Sequence, residues 1–448
     1  MCIQWHSGRY AGVSGKASLI VYIKGDELKM KISIERIKKD LDSLSQFTAD
    51  ERGITRVAYS KEERQARDYL IEEIRKMNLP YYEDGFSTIF VRKEGRLKNA
   101  PCVMTGSHFD TVYHGGRFDG TIGVICAMEV MRVLLENGFE NDYPIELILM
   151  NAEEGGIFGP STGVANSRAM MGTLTDWELD NTRNREGKTK REALREYGCE
   201  ADLTKAKRDP ETIKNFIELH IEQGPNLERH NKEIGIVEFL GGIGRYYVRF
   251  KGNTGDSTML MKDRNDALVA ASYFSVRLDS VIKEMGDDVT GMMGQLNIIP
   301  NSSQFVPEFV EGKIEIRTFT KEIVDKYDYP AIIKSLLKET EEKYGISTEL
   351  EEIRRINYSN PTYPSIFNEE VTENIRKICE DLGYSYMYMH NGTGHDSMIM
   401  ADHVDTNMIY IPSRNDGVSH CPEEFTELED IEKGANVLLH LVMDLSKS

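Results

Sequence analysis

Two buried strand patterns separated by an apolar helix constrain the fold of this chain more than any other feature. The apolar runs 102–107 and 145–150 predict strands, and residues 121–135 predict a helix with small side chains that packs on a sheet. Candidate functional residues follow each strand directly. This order is typical of an α/β sheet whose site lies at its carboxyl edge.

A second pattern lies within residues 241–356 and predicts a ferredoxin-like α+β unit in the order βαββαβ. Its predicted elements are strand 246–251, helix 265–283, strand 294–299, strand 313–318, helix 330–343 and strand 347–356. A chain of 448 residues is long enough for two domains. We predict a mixed-sheet α/β catalytic domain over residues 30–240 and 357–448, with an inserted lid domain over 241–356. Residues 1–29 differ from the rest, and we expect them to be a non-native extension with Met30 as the start.

The composition argues against several classes of function. Lys and Arg total 55 against 74 Asp and Glu, and a formal net charge of -19 disfavours nucleic acid or an anionic membrane as a partner. No stretch approaches the roughly 20 apolar residues of a membrane span. Six cysteines without a CxxC pair are typical of a reducing compartment, so we expect a cytoplasmic protein.

Imidazoles and carboxylates recur beside the apolar runs and in glycine-rich turns. The candidate metal ligands are His108, Asp119, Glu154, His220 and His395. Such a set without thiolates suits one or two divalent ions such as zinc, manganese, cobalt or nickel. The sequence therefore indicates metal-assisted hydrolysis.

These five ligands are enough for two metal ions. We predict that His108 and His220 bind one ion, that Glu154 and His395 bind the other, and that Asp119 bridges the two. Ions roughly 3.5 to 4 Å apart share a water molecule whose pKa falls to about 7. This arrangement would supply hydroxide at neutral pH.

Two further carboxylates have predicted catalytic roles beside the ligands. Glu153 is free to act as the base if the chain turns after the strand, and Gly155 and Gly156 make that turn easy. Asp110 lies two positions from His108 on the same side of a strand. There it can accept the other ring N–H of His108 and fix the ligating tautomer.

Six motifs carry a resemblance to a known family. They occupy residues 106–112, 115–120, 153–155, 218–225, 394–396 and 417–420. From about Met30 to the C-terminus the chain closely resembles the hydantoinase and carbamoylase family of amidases. That family includes N-carbamoyl-L-amino acid hydrolases, allantoate amidohydrolases and bacterial β-ureidopropionases, and it is related to aminoacylase and carboxypeptidase G type metallopeptidases.

The resemblance implies two divalent ions per subunit, the metal and base roles given above, and a lid that dimerises. It also places Gln223 and Arg317 at substrate-contacting positions. Gln304 stands where the family has a substrate-binding Asn. Asn391 and Thr393 stand where Ser and Ala are usual in the loop before His395.

Two other departures concern the substrate. The lid His that polarises the scissile carbonyl in the family is replaced here by Gly255, and Ile157 stands where an Arg is usual. We therefore expect a changed substrate or a changed way of polarising its carbonyl. His114 and His390 are the candidates for a replacement donor.

Together these features predict a homodimeric hydrolase of C–N bonds in linear amides or amidines. The expected substrate is a carboxylate-bearing N-carbamoyl amino acid or an allantoate-like ureido acid, and the expected ions are Zn²⁺ or Mn²⁺, with Co²⁺ or Ni²⁺ as alternatives. Two other functions stay open. One is an aminoacylase or dipeptidase type of metallopeptidase, and the other is a metal-binding homologue with lost or altered activity.

Overall fold

The structure is a computed structural model that describes residues 30–159, 162–352 and 364–448. The predicted extension, residues 1–29, lies outside the described residues, as does the predicted boundary between residues 356 and 357. Within the described ranges, no helix combines the length and the apolar character that crossing a membrane requires.

The described ranges form fifteen β-strands and fourteen α-helices. The strands are β1 Tyr81–Glu83, β2 Ile89–Lys93, β3 Cys102–His108, β4 Ile145–Met150, β5 Ile213–Ile221, β6 Ile234–Leu240, β7 Gly242–Lys251, β8 Gly255–Asp256, β9 Val289–Ile299, β10 Phe305–Val306, β11 Phe309–Thr318, β12 Ser347–Glu352, β13 Ser365–Ile366, β14 Tyr386–Asn391 and β15 Thr406–Ile411. The helices are α1 Ile34–Leu44, α2 Lys61–Lys76, α3 Thr121–Glu136, α4 Ala165–Met170, α5 Asp176–Asn181, α6 Lys190–Tyr197, α7 Leu203–Ala206, α8 Asn226–Arg229, α9 Ala267–Met285, α10 Lys321–Lys326, α11 Tyr329–Tyr344, α12 Glu369–Leu382, α13 Asp396–Ala401 and α14 Leu428–Leu445.

A mixed nine-stranded sheet forms the larger part of the fold. Its strand order is β1-β2-β4-β3-β5-β15-β6-β13, and β14 pairs with β6. The central strands β4, β3, β5 and β15 run parallel to their neighbours in this series. Every residue of β3 and β4 is buried. Strands of this kind are covered on both faces, which is why their sequences are largely apolar. The predicted α/β sheet is therefore confirmed.

Helices cover this sheet and are built from simple sequence signals. In α2, the Ser60 hydroxyl accepts a hydrogen bond from the Glu63 amide and caps the first turn. Ala66, Leu70 and Ile74 then recur at helical spacing and are buried. The predicted apolar helix is α3, which is buried along almost its whole length and packs on β3 and β5.

A four-stranded antiparallel sheet in the order β12-β7-β11-β9 forms a second structural unit. With α9 and α11 it has the βαββαβ order that the sequence predicts and a hydrophobic core of its own. Strands β7, β9 and β11 begin earlier than predicted, at Gly242, Val289 and Phe309. Residues 353–356 of the predicted last strand lie outside the described residues. The added residues include Glu311, whose carboxylate accepts from Nε of Arg249 on the neighbouring strand at 2.7 Å. The boundaries of a separate lid domain stay a prediction.

Candidate metal centre

Parallel strands bring the predicted ligands to one edge of the large sheet. His108 is the last residue of β3 and pairs with Met150, the last residue of β4. Glu153 and Glu154 follow β4 after two residues, and His220 lies near the end of β5. The strand ends therefore meet as the sequence predicts.

Asp119 is shared by the imidazoles on either side of it. Its Oδ1 lies 3.5 Å from Nε2 of His108 and 3.2 Å from Nε2 of His220. Its Oδ2 lies 3.1 Å from Nε2 of His420, which is also 3.2 Å from Oε1 of Glu154. One carboxylate thus belongs to two ligand groups, each of which is able to hold a metal ion.

The spacing and the chemistry of these groups fit two divalent ions. Ligand atoms on a tetrahedron of radius about 2.1 Å are about 3.4 Å apart, close to the distances around Asp119. Nδ1 of His108 lies 3.1 Å from the Asp110 carbonyl, and Nδ1 of His220 lies 2.9 Å from the Ile221 carbonyl. Because a backbone carbonyl can only accept, each Nδ1 is the donor and each Nε2 is the acceptor that would bind an ion. Nε2 of His220 also accepts from the Gly120 amide at 3.0 Å.

The protonation of the imidazoles reflects the carboxylates around them. Hydrogen bonds to Asp119 and Glu154 raise the pKa of His420 to about 11. Burial opposes protonation of His108, yet its contacts with Asp110 and Asp119 raise its pKa above the ordinary value. An arriving cation therefore has to displace these protons, so metal affinity should fall as the pH is lowered.

The structure differs from the prediction at His395. This residue does not group with Asp119 and Glu154 but with Glu218 and His220, and its Nε2 lies 3.0 Å from the Tyr410 hydroxyl. His395 immediately precedes α13, and burial together with the nearby His220 lowers its pKa well below the usual range. The centroid of its ring lies 4.5 Å from that of His220. His420, in the motif at residues 417–420, occupies the position that the sequence analysis gave to His395.

Asp110 contacts both glutamates as well as His108. Its Oδ1 and Oδ2 accept hydrogen bonds of 3.1 Å from the amides of Glu153 and Glu154 respectively. Its Oδ1 is 3.4 Å from Nδ1 of His108, while its carbonyl is the closer acceptor. Asp110 therefore contacts Glu153, Glu154 and His108, whereas the sequence predicted a contact with His108 alone.

Glu153 is separate from the two ligand groups around Asp119. Burial, together with the carboxylates of Glu154, Asp396 and Asp110, raises its pKa well above the usual value. Gly155 turns the chain directly afterwards with φ of 77°, and a side chain there would collide with the Gly159 carbonyl. The expected turn after the glutamates is present.

The predicted substrate-contacting residues fall into separate places. Nε2 of Gln223 donates to Oδ2 of Asp119 at 2.7 Å. The Asn391 amide donates to the Glu222 carbonyl at 2.9 Å, and Arg317 donates to the Gly392 carbonyl. Gln304 is exposed in the other structural unit. Of these residues, Gln223 contacts a ligand directly. Arg317 contacts the loop at Gly392, which follows Asn391.

Gly255 and Gln304, two positions at which this chain departs from the family, are neighbours in space. Gly255 and Asp256 pair with Val306 and Phe305 in a two-stranded ribbon, and the Gln304 carbonyl accepts from the Ser257 amide. The ribbon carries no imidazole at this point.

Neither candidate for a replacement donor has its observed contacts in the ligand cluster. His114 lies beside Asp50 and Arg52, and His390 stacks on Phe239.

Glu424 is a residue of the centre that the sequence analysis missed. Its Oε1 accepts from the amides of Phe118 at 2.9 Å and Asp119 at 3.1 Å, and burial together with the Asp119 charge raises its pKa to about 7. It follows His420 by four residues, so one short segment holds Asp119 from both its side chain and its backbone. The available sequence signal was an acidic residue shortly after the last His of a motif.

These observations define a centre of the metal-dependent hydrolase class, with Asp119 between two imidazole and carboxylate groups. The chain belongs to peptidase family M20/M25/M40, and residues 104–444 match the model of that family.

Similar proteins and solved structures agree with this family. The chain is 34% identical to an N-carbamoyl-L-amino-acid amidohydrolase of Paenarthrobacter aurescens, over 93% of this chain and 99% of the relative. It is 29% identical to an allantoate amidohydrolase of Bacillus subtilis strain 168, over the same 93% and 99%. A hydantoinase/carbamoylase family amidase from Burkholderia vietnamiensis has a similar solved structure, with a TM-score of 0.81, 29% identity and coverage of 94% of this chain and 99% of that one. The resemblance and the mixed α/β fold predicted from the sequence are confirmed.

Replacing each of the two competing histidines tests the ligand assignment. We expect His420→Ala to lose one of two bound ions, because its Nε2 is shared between Asp119 and Glu154. His395→Ala should keep both ions, since its ring contacts Tyr410. Elemental analysis by mass spectrometry after dialysis measures the stoichiometry, with thermal melting as the control for folding. The opposite pattern would restore His395 as a ligand.

Substitutions at Glu424 test how the backbone of Asp119 is held. Glu424→Ala removes the acceptor of two amides and should weaken metal binding by about 10–100-fold, as is typical when the support of a ligand is lost. Glu424→Gln keeps a carbonyl oxygen at the same place and should bind metal nearly as the native chain does. Competition with a chelating dye measures both affinities. Equal loss in the two variants would show that the charge of Glu424, and not its acceptor, matters.

Proposed function

We propose that this protein is a dinuclear metal-dependent amidohydrolase that cleaves a C–N bond in a carboxylate-bearing N-carbamoyl amino acid or ureido acid. The proposal rests on the position of Asp119 between two groups of ligands. Its Oδ1 is 3.2 Å from Nε2 of His220, and its Oδ2 is 3.1 Å from Nε2 of His420. The amidohydrolases among its relatives support the substrate class.

Five residues would hold the two ions in this proposal. His108 and His220 would bind the first ion, Glu154 and His420 would bind the second, and Asp119 would bridge them. When bound, such ions stabilise negative charge on a carbonyl oxygen and lower the pKa of a nearby water molecule. Asp110 and Glu424 keep the ligands in place through the backbone contacts described above.

Glu153 would move the protons of the reaction. Its buried carboxyl has a raised pKa and is 3.9 Å from Nε2 of His108, beside the ligand cluster. As the base it takes a proton from the attacking water, and as the acid it delivers that proton to the leaving nitrogen. Gln223, whose amide donates to Asp119, would contact the substrate beside the ions. The guanidinium of Arg317, which contacts the Gly392 carbonyl and Glu315, would bind the carboxylate of the substrate.

Changing Glu153 to Gln tests this function most simply. The variant loses the proton acceptor and should lower kcat by about 10²–10⁴-fold, the usual contribution of a general acid–base group. KM and metal content should stay near those of the native chain. Ammonia release from N-carbamoyl amino acids and from allantoate is the measurement.

A parallel assay with dipeptides and N-acyl amino acids separates the alternatives. Faster release of amino acids from these compounds would favour a peptidase or aminoacylase. Tight binding of two ions without turnover of any compound would favour the metal-binding homologue.

We also propose that two copies of the chain associate through the smaller sheet. Strand β9 is one of the two edge strands of this sheet, so its backbone groups on one side lack a neighbouring strand among the described residues. Met292, Leu296 and Ile299 on β9 are exposed apolar residues. A second β9 related by a two-fold axis would pair with this edge and cover those side chains.

A lysine on this edge should separate the copies. Leu296→Lys places a charge in the proposed interface, whereas Leu97→Lys changes a residue of similar exposure, 42% against 39%, on the other sheet's side of the molecule. Sedimentation analysis should find about twice the mass of the 51.0 kDa chain for the native protein and the Leu97 variant. The Leu296 variant should sediment as a monomer. A monomeric native protein would contradict the proposal.

A further inference from the structure

A large cavity opens directly on the second ligand group. Its volume is about 940 Å³, and Glu154 and His420 lie in its lining. The start of α2, the loop at residues 111–113, the turn after Glu154 and the segment at residues 184–197 form the remaining walls. A carbamoyl group and a glycine would leave most of this volume empty.

One wall of the cavity is aromatic and apolar. Tyr59, Tyr197 and Ile157 line it, and the two tyrosine rings meet edge to face with centroids 5.8 Å apart. Tyr59 has φ of 66°, an unusual conformation for a bulky residue, and its shielded hydroxyl has no hydrogen-bond partner among the described residues. The surroundings thus hold Tyr59 in place in the lining of the cavity.

Ile157 adds an aliphatic side chain to this wall. The resembled family usually has an Arg at this position, as noted above, so the replacement removes a cation from the cavity. An aliphatic side chain beside two aromatic rings favours an apolar ligand group over a charged one.

The outer part of the cavity carries more cations than anions, with Lys61, Arg64, Arg185 and Lys188 against Glu186 and Glu196. Lys61 and Arg185 are exposed and lie in its lining, and neither forms an ion pair within the part of the chain that the structure describes. Lys188, on the same segment as Arg185, is instead bound to Glu196 at 2.6 Å. The unpaired cations would attract a negative group at the end of a long ligand.

We propose that this cavity selects substrates that carry an extended apolar arm with an anionic tip. The arm would lie along Tyr59, Ile157 and Tyr197, and the tip would meet Arg185 and Lys61 at the outer end. This inference rests on the proposed function and narrows its substrate class. Arg185 and Ile157 become specificity-determining residues that lie outside the metal ligands.

Three substrates separate the parts of this proposal. N-carbamoylglycine has no arm, N-carbamoylphenylalanine has an apolar arm, and its para-carboxy derivative adds the anionic tip. For the native chain, kcat/KM should rise at least about tenfold from the first to the second, because the benzyl group is buried. It should rise a further factor of about three for the third, the size expected for a partly exposed ion pair.

Two variants and one matched control then assign the effects. Arg185→Ala should remove only the advantage of the para-carboxy group, and Ile157→Arg should lower only the turnover of the two substrates with arms. Arg183→Ala is the control, because Arg183 lies two residues away, contacts the Gly187 carbonyl and is not part of the lining. It should change none of the three rates.

The outcomes distinguish this inference from the proposed function. If the glycine derivative is hydrolysed as well as the others, the cavity proposal is wrong and the proposed function stands. Equal losses on all three substrates in Arg185→Ala would likewise overturn it. If no ureido compound is hydrolysed, the proposed function fails, and calorimetry of the para-carboxy derivative decides the inference. Tighter binding to the native chain than to Arg185→Ala would then support it, and equal binding would overturn it.

Discussion

The carboxylate of Asp119 is the point on which the rest of the centre depends. Its two oxygens face different imidazoles, with His108 and His220 on one side and His420 on the other. A buried carboxylate needs compensating charges or hydrogen bonds, and the histidines and Gln223 supply them. The same geometry is suited to two cations.

The fold supports this carboxylate from several directions. Parallel strands deliver His108 and His220, and Glu424 binds the amides of Phe118 and Asp119 from behind. Gly120 follows Asp119 with φ of 60°, and any side chain there would collide with the His108 ring. The backbone at this point is therefore fixed by sterics as well as by hydrogen bonds. Such a rigid arrangement lets ligands that are distant in sequence meet within a few tenths of an ångström of the needed spacing.

Much of this arrangement follows from local sequence patterns. Continuous apolar runs predict β3 and β4, and the carboxyl ends of such strands predict where His108 and Glu154 meet. His420 was harder to assign, because it lies in an irregular loop where no strand or helix period fixes its direction. His395 precedes a helix and looked better placed, yet Tyr410 on β15 holds its ring. Contacts between segments distant in sequence determine which of these two histidines lies beside Asp119 and Glu154. Glu424 was missed for the same reason.

The central claim is that one carboxylate bridges two ions, and diffraction data collected at the absorption edge of the bound metal test it most directly. Crystals of the manganese- or zinc-loaded protein should show two anomalous peaks roughly 3.5 to 4 Å apart, with one oxygen of Asp119 at each. His420 should contact the second peak. A single peak, or a second peak bound by His395 in place of His420, would contradict the account.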